Sequence, residues 1–316
     1  MGQVNQAFLK IDLRQEINRY NFYIHQFDQE NRMTFTEKAK ALLQLIRPEL
    51  PISAGICVVV EQTIALGKIP ALIDLGLGFG LGLFLSSSAM IFNDLFDLEV
   101  DRINTPHKPI PSGKVTSTEA IFFGVVTALI AILIAGWMAP LVLALSLALW
   151  VLGFLYNWKL KAIGLIGNLI VATNVAMTFI LGGISVGEGN NLLVWIFGAI
   201  AFVFDLAEEI AGDAMDMEGD KKRGSQSLAI LHGKKVALRI SGALFVVMIL
   251  LSLLPVVLGE SSLAYILPIG LMDVAIVFFG LRLIKSATHA QGHRAMRGLY
   301  ISATIGLVAF ILSRFV

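Results

Sequence analysis

Residues 71–101 read ALIDLGLGFGLGLFLSSSAMIFNDLFDLEVD, an apolar run that ends in an acidic cluster. A bilayer-spanning helix needs about 20 predominantly apolar residues, and this run supplies them. Glycines at 76, 78, 80 and 82 allow close approach of a neighbouring helix. A phosphate loop is a poor alternative, because no strand context or Gly-Lys-Ser/Thr follows. At the end of the run Asn93, Asp97 and Asp101 stand at i, i+4 and i+8, with Asp94 beside them. If the helix continues through them, they form one stripe about 12 Å long at a rise of 1.5 Å per residue.

A second junction of the same kind lies at residues 213–220, DAMDMEGD. Asp213, Asp216 and Asp220 stand at i, i+3 and i+7, and Glu209 lies one turn earlier on the same side. Carboxylates at a bilayer boundary are costly unless compensated, and a hard divalent cation compensates several at once. Mg²⁺ takes one or two carboxylates together with phosphate oxygens and water, so two matched stripes predict a membrane enzyme that handles a metal-bridged diphosphate.

Composition supports the membrane reading. The chain of 316 residues is 56% hydrophobic and 15% charged, against about 25% charged in a soluble domain, and its mean hydropathy is +0.78. A formal net charge of +1 leaves no reason to expect nucleic acid as a partner, and no obligate protein partner is evident. Cys57 is the sole cysteine, so no intrachain disulfide forms.

Nine windows have spanning length: 49–67, 71–93, 119–138, 140–158, 163–186, 191–212, 236–258, 262–284 and 297–315. The third and fourth are split only by Met138, Ala139 and Pro140, which predicts a tight hairpin. Lysine and arginine are enriched in cytoplasmic loops. Here Arg102, Lys108 and Lys114 follow the second window, Lys159 and Lys161 the fourth, and Lys221, Lys222 and Arg223 the sixth. The expectation is a multi-pass, all-α protein of the cell membrane, with its N-terminus and both acidic clusters in the cytoplasm and its C-terminus outside. Residues 1–33 are polar and lack a signal-peptide core; Ile17, Tyr20, Ile24 and Phe27 recur at helical spacing, consistent with an amphipathic helix or a solvated extension. Residues 34–316 form the expected transmembrane domain, opened by a Thr34–Glu37 capping pattern.

The string Asn93-Asp94-x-x-Asp97-x-x-x-Asp101, the following Asn104 to Gly113 (NTPHKPIPSG) and the later Asp213-x-x-Asp216-x-x-Gly-Asp220 resemble the UbiA superfamily of intramembrane prenyltransferases from about residue 36 to the C-terminus. Within it, Tyr156-Asn-Trp-Lys159-Leu-Lys161, Gly164 to Asn168 and the Glu209 to Asp220 run look most like the archaeal digeranylgeranylglyceryl phosphate synthases, with chlorophyll synthases and homogentisate prenyltransferases close behind. The resemblance implies nine helices around a central cavity, and a prenyl diphosphate, geranylgeranyl in length, held on two Mg²⁺ ions. The allylic C–O bond would ionise there and a lipophilic acceptor would attack the cation. For the archaeal branch the acceptor is geranylgeranylglyceryl phosphate; the alternative is an aromatic, quinone-precursor or chlorophyll-type acceptor.

The metal ligands implied are Asn93, Asp94, Asp97, Asp101, Asp213, Asp216 and Asp220. Catalytic roles fall on Asp97, Asp213, Lys108 and Tyr156, the last through its ring face toward the allylic cation. Substrate binding falls on Arg47, Asn93, Lys108, Lys159, Lys161 and Asp220, with Arg47 on the acceptor side. The bland readings are a positive-inside charge bias for the lysines and an interface anchor for Tyr156. Asp205 is a candidate to face the cavity, whereas Glu61 and Asp273 have no evident partner, and His107 lacks the neighbours of a zinc site. A non-enzymatic ion or lipid carrier is the other function class, but it would place carboxylates near mid-bilayer rather than at helix ends followed by basic loops.

Overall fold

The structure, a computed structural model, describes residues 33–222, 224–259 and 262–313. The proposed amphipathic segment around Ile17 and the C-terminal end lie outside the described residues. In chain order the helices are α1 (Phe35–Ile46), α2 (Glu49–Leu66), α3 (Leu72–Phe96), α4 (Leu98–Asn104), α5 (Ser117–Met138), α6 (Pro140–Leu155), α7 (Leu165–Ser185), α8 (Leu192–Met215), α9 (Met217–Lys222), α10 (Leu228–His232), α11 (Lys234–Ser252), α12 (Leu254–Val257), α13 (Leu263–Ile284) and α14 (His289–Ser313). No strand occurs among the described residues.

Eight of these segments are long and apolar enough to cross a membrane: α2, α3, α5, α6 extended to Ile163, α7, α11 extended to Val257, α13 and α14. The sixth expected span is α8, an unbroken helix of 24 residues. It falls outside the eight by composition, because Asp205, Glu208, Glu209 and Asp213 lie along it. Leu129, Leu133, Trp137, Val246, Leu250, Leu271 and Val274 are exposed, as side chains facing hydrocarbon must be. The chain is a multi-pass membrane protein.

The described residues fall into two compact units, one from 33–48 and 90–125, the other from 49–89 and the described part of 126–313. In the first, Leu45, Ile91, Ile110, Val115 and Ala120 form the core. Its entry helix begins as the capping pattern predicts: the Thr34 N–H donates to Glu37 Oε2 at 2.8 Å, and the Glu37 N–H donates to Thr34 Oγ1 at 3.3 Å. Hydrogen bonds from the Thr34 backbone and hydroxyl hold the Glu37 carboxyl below its ordinary range. A second box, Thr116 with Glu119, opens α5, and Lys38 ties Glu119 to α1 at 2.6 Å. Sequence reading passed over it, although the T-x-x-E pattern is the same.

In the second unit, Val60, Ile210, Met248, Tyr265, Ile276, Leu299 and Phe310 belong to the main core. The third and fourth spans form the expected hairpin, with Ala139 alone between α5 and α6 and Pro140 at the first turn of α6. Small residues act as expected at most positions. A Cβ on Gly82 would meet the Ala54 carbonyl, and one on Gly182 would meet the Val58 carbonyl, so both glycines permit helix contact with α2. Gly76 has nothing within 4 Å and carries no such role.

Candidate functional site

In the first unit α3 stops at Phe96, and Asp97 caps α4 with φ −83° and ψ 0°. Backbone bonds nevertheless continue through the break, from Asp97 N–H to Asn93 O at 3.0 Å and from Asp101 N–H to Asp97 O at 2.8 Å. The i, i+4 register of the stripe survives a local change of helix. Asp94 and Asp101 are buried, at 2% and 6% exposure, so each requires compensation. The Lys108 ammonium supplies it to both, donating to Asp94 Oδ1 at 3.1 Å and Asp101 Oδ2 at 2.6 Å, while Thr105 Oγ1 donates to Asp101 Oδ1 at 2.7 Å. The Arg47 guanidinium also donates to Asp94. Two carboxylates and two cations thus cancel in charge. Arg47 reaches this position from a left-handed backbone, φ 48°, immediately before Pro48; it is the one non-glycine residue at positive φ among the described residues. Lys108 and Arg47, predicted as separate substrate contacts, are joined through Asp94. Each keeps N–H groups beyond those used here, since an ammonium carries three and a guanidinium five.

The second stripe, in the other unit, is built the same way. Helix α8 ends at Met215, Asp216 caps it, and bonds from Asp216 N–H to Gly212 O at 2.9 Å and from Asp220 N–H to Asp216 O at 3.1 Å carry the register into α9. Asn168 on α7, 6% exposed, donates from Nδ2 to Asp213 Oδ2 at 2.9 Å and fixes that carboxylate. Asp216 Oδ1 lies 2.8 Å from His289 Nε2 and 3.0 Å from His293 Nε2. Asn168 and the two histidines were not singled out as site residues from sequence. The histidines left a signal, an i, i+4 pair at the start of a helix, but Asn168 was visible only inside the Gly164–Asn168 run.

Tyr156, Lys159 and Lys161 sit where α6 passes into a π-helical turn, Tyr156–Leu160, and a short 3₁₀ turn, Lys161–Ile163. Gly164, at φ 62°, ends the segment against the Gln226 backbone, and Gln226 N–H donates to Ala162 O at 3.2 Å. A side chain there would meet backbone that cannot yield, so this glycine locks the lysine-bearing turn to the loop after α9. Lys159 Nζ lies 4.3 Å from the Trp158 ring centroid, and Lys161 interacts electrostatically with Glu209. Asp205, Glu208 and Glu209 share one face of α8, and one Asp205 oxygen is buried without a partner among the described residues. Glu61 is fully buried with both oxygens unpartnered, as expected. Asp273 departs from expectation: Ser252 Oγ donates to its Oδ2 at 2.7 Å.

The model of the UbiA prenyltransferase family matches residues 53–307. The chain belongs to the UbiA prenyltransferase family. It is therefore an enzyme that transfers a prenyl group, and the carrier reading is set aside. Among curated UbiA relatives, the digeranylgeranylglyceryl phosphate synthase of Pyrococcus abyssi is 32% identical over 275 residues, 87% of this chain and 97% of that protein. The protein of the same name from Pyrococcus horikoshii is 34% identical over 276 residues, 86% of this chain and 96% of that one. A solved digeranylgeranylglyceryl phosphate synthase superposes with a TM-score of 0.71 at 30% identity, covering 88% of this chain and 99% of its own. A UbiA homologue from Archaeoglobus fulgidus, solved bound to GPP and Mg²⁺, shares the fold at a TM-score of 0.64 and 18% identity, covering 87% of this chain and 100% of its own.

Proposed function

We propose that this UbiA enzyme transfers a geranylgeranyl group from its diphosphate to the free hydroxyl of geranylgeranylglyceryl phosphate, forming the second ether bond of an archaeal lipid. The observation that carries this reading is that the curated relatives reported above, matched over nearly their whole length, are digeranylgeranylglyceryl phosphate synthases. The donor set fits Mg²⁺, because both stripes offer carboxylate oxygens and no thiolate. Asn93, Asp94, Asp97 and Asp101 on one stripe, and Asp213, Asp216 and Asp220 on the other, would hold Mg²⁺, two ions in all, whose charge would offset that of a diphosphate leaving group. Residues 34–316 serve as the catalytic domain.

The protein's own cations do the rest. Lys108, oriented by Asp94 and Asp101, keeps a donor for a departing anionic oxygen, and Lys159 and Lys161 add positive charge on the turn after α6. Tyr156 offers a ring face to the cation. A phosphorylated acceptor needs a further cationic contact, which we assign to Arg47. The test is competition between geranylgeranylglyceryl phosphate and an aromatic acceptor for labelled geranylgeranyl diphosphate. Nearly all label should enter the glyceryl phosphate, and Arg47→Ala should raise the KM for that acceptor about tenfold or more, more than for the diphosphate, since a charge-assisted bond contributes about 1.5–3 kcal/mol. Preferential labelling of the aromatic ring would move the chain to another branch.

We also place the enzyme in the cell membrane with both acidic stripes toward the cytoplasm, supported by the lysine and arginine bias of the loops that follow them. In a Cys57→Ser background, a cysteine introduced at the exposed Lys114 should resist a membrane-impermeant maleimide in intact cells and react after lysis. Labelling before lysis would reverse the topology.

A further inference from the structure

We propose that Asp216, His289 and His293 form a binding site for a borderline transition ion such as Zn²⁺, distinct in chemistry from the hard-ion site of the proposed reaction. One oxygen or nitrogen from each side chain lies within 4.8 Å of the others, and no metal is assigned to this trio. The two imidazoles stand one helical turn apart on α14, with ring centroids 4.2 Å apart, and both present Nε2 to the same Asp216 oxygen at 2.8 and 3.0 Å. Ligands about 2.0–2.1 Å from a tetrahedral zinc lie about 3.3 Å from one another, so the two Asp216–histidine separations of 2.8 and 3.0 Å need to open by only a few tenths of an ångström to admit an ion.

Packing beneath the trio holds this arrangement. Gly292 is buried between the two histidines in sequence, and a Cβ there would collide with the Met215 side chain, the residue preceding Asp216. The absence of a side chain lets the start of α14 lie directly on the end of α8. Ala295, three residues on, is also buried, and Met296 approaches Gly212. The three ligands project from this contact and are partly or fully exposed, so an ion can enter from solvent and keep water or an anion at its remaining positions. Two nitrogens and one carboxylate oxygen favour Zn²⁺, Co²⁺ or Ni²⁺ over Mg²⁺, which prefers oxygen alone.

The consequence for catalysis rests on the proposed reaction: an ion held by the histidines takes Asp216 out of the Mg²⁺ set, so micromolar Zn²⁺ inhibits prenyl transfer. The test uses the full chain freed of any polyhistidine tag, titrated with Co²⁺ as a coloured probe. One Co²⁺ per chain should bind with visible d–d absorption, be displaced by Zn²⁺ but not by millimolar Mg²⁺, and be lost by two or more orders of magnitude in affinity in the His289→Ala/His293→Ala variant. Absence of the absorption at micromolar Co²⁺, or an unchanged titration in the double variant, would overturn the site. The double variant should keep the wild-type thermal unfolding midpoint in detergent, which reports its folding, and its remaining transfer activity should no longer respond to Zn²⁺. Tight Co²⁺ binding with Zn²⁺-insensitive transfer would support the site and remove Asp216 from the catalytic magnesium set, so the two readings fail separately.

Discussion

Alanine at Asp213 is expected to lower prenyl transfer about a thousandfold, which corresponds to about 4 kcal/mol of lost transition-state stabilisation. The argument is electrostatic. In the proposed reaction, the negative charge that grows on the leaving diphosphate would be met by divalent ions, and those ions would be held by carboxylates fixed beforehand. Asp213 is fixed by Asn168, which is itself buried on α7. Three substitutions separate the contributions. Asp213→Asn keeps the size and a hydrogen-bond partner for Asn168 but removes the charge, and should be nearly as inactive as Asp213→Ala. Asn168→Ala keeps the charge but frees its orientation, and should lose about 10–100-fold. Asp97→Ala should match Asp213→Ala. Steady-state rates within a few fold of wild type for Asp213→Asn would show that the charge is not required there.

Replacing Lys108 by alanine is expected to cost both activity and about 3 kcal/mol of stability, the low end for breaking a buried ion pair. Among the described residues, Arg47 would remain on Asp94 and Thr105 on Asp101, at sites 2% and 6% exposed. The estimate sits low because Arg47 remains and the Lys108 side chain is 23% exposed. Thermal or denaturant unfolding in detergent measures it. Adding Asp101→Asn to Lys108→Ala removes the orphaned charge and should recover part of the stability without recovering turnover. A Lys108→Ala protein that unfolds with wild-type midpoint would refute the coupling.

Most helices were legible because a spanning segment must be apolar over its full length. The 71–93 window became Leu72–Phe96, and the hairpin at Ala139 fell where Pro140 required it. The acidic stripes were legible as periodicity. The breaks at Asp97 and Asp216 were not, since the i, i+4 spacing reads the same whether the helix is continuous or is interrupted with its register kept. Long-range partners were the least visible. Asn168 is one of several polar residues in α7 and stands out from Thr173 or Asn174 only when Asp213, 45 positions later, lies against it, and the histidines meet Asp216 across 73 and 77 positions. The Lys108 and Arg47 roles came from the family resemblance, which places a cation at each position but does not say that Asp94 binds both. The acidic face of α8 explains why one expected span has the right length and the wrong composition: Asp205, Glu208, Glu209 and Asp213 fall within it, and local hydropathy counts each charge whichever face it occupies.

Magnesium dependence of the transfer itself is the most direct test. The purified chain would be supplied with labelled geranylgeranyl diphosphate and geranylgeranylglyceryl phosphate in EDTA, then with Mg²⁺ returned in steps to millimolar concentration, and the lipid product extracted and weighed by mass spectrometry. The expected result is no digeranylgeranyl product in EDTA, with its appearance and saturation as Mg²⁺ is restored. Undiminished product formation in EDTA would contradict the role of the two acidic stripes.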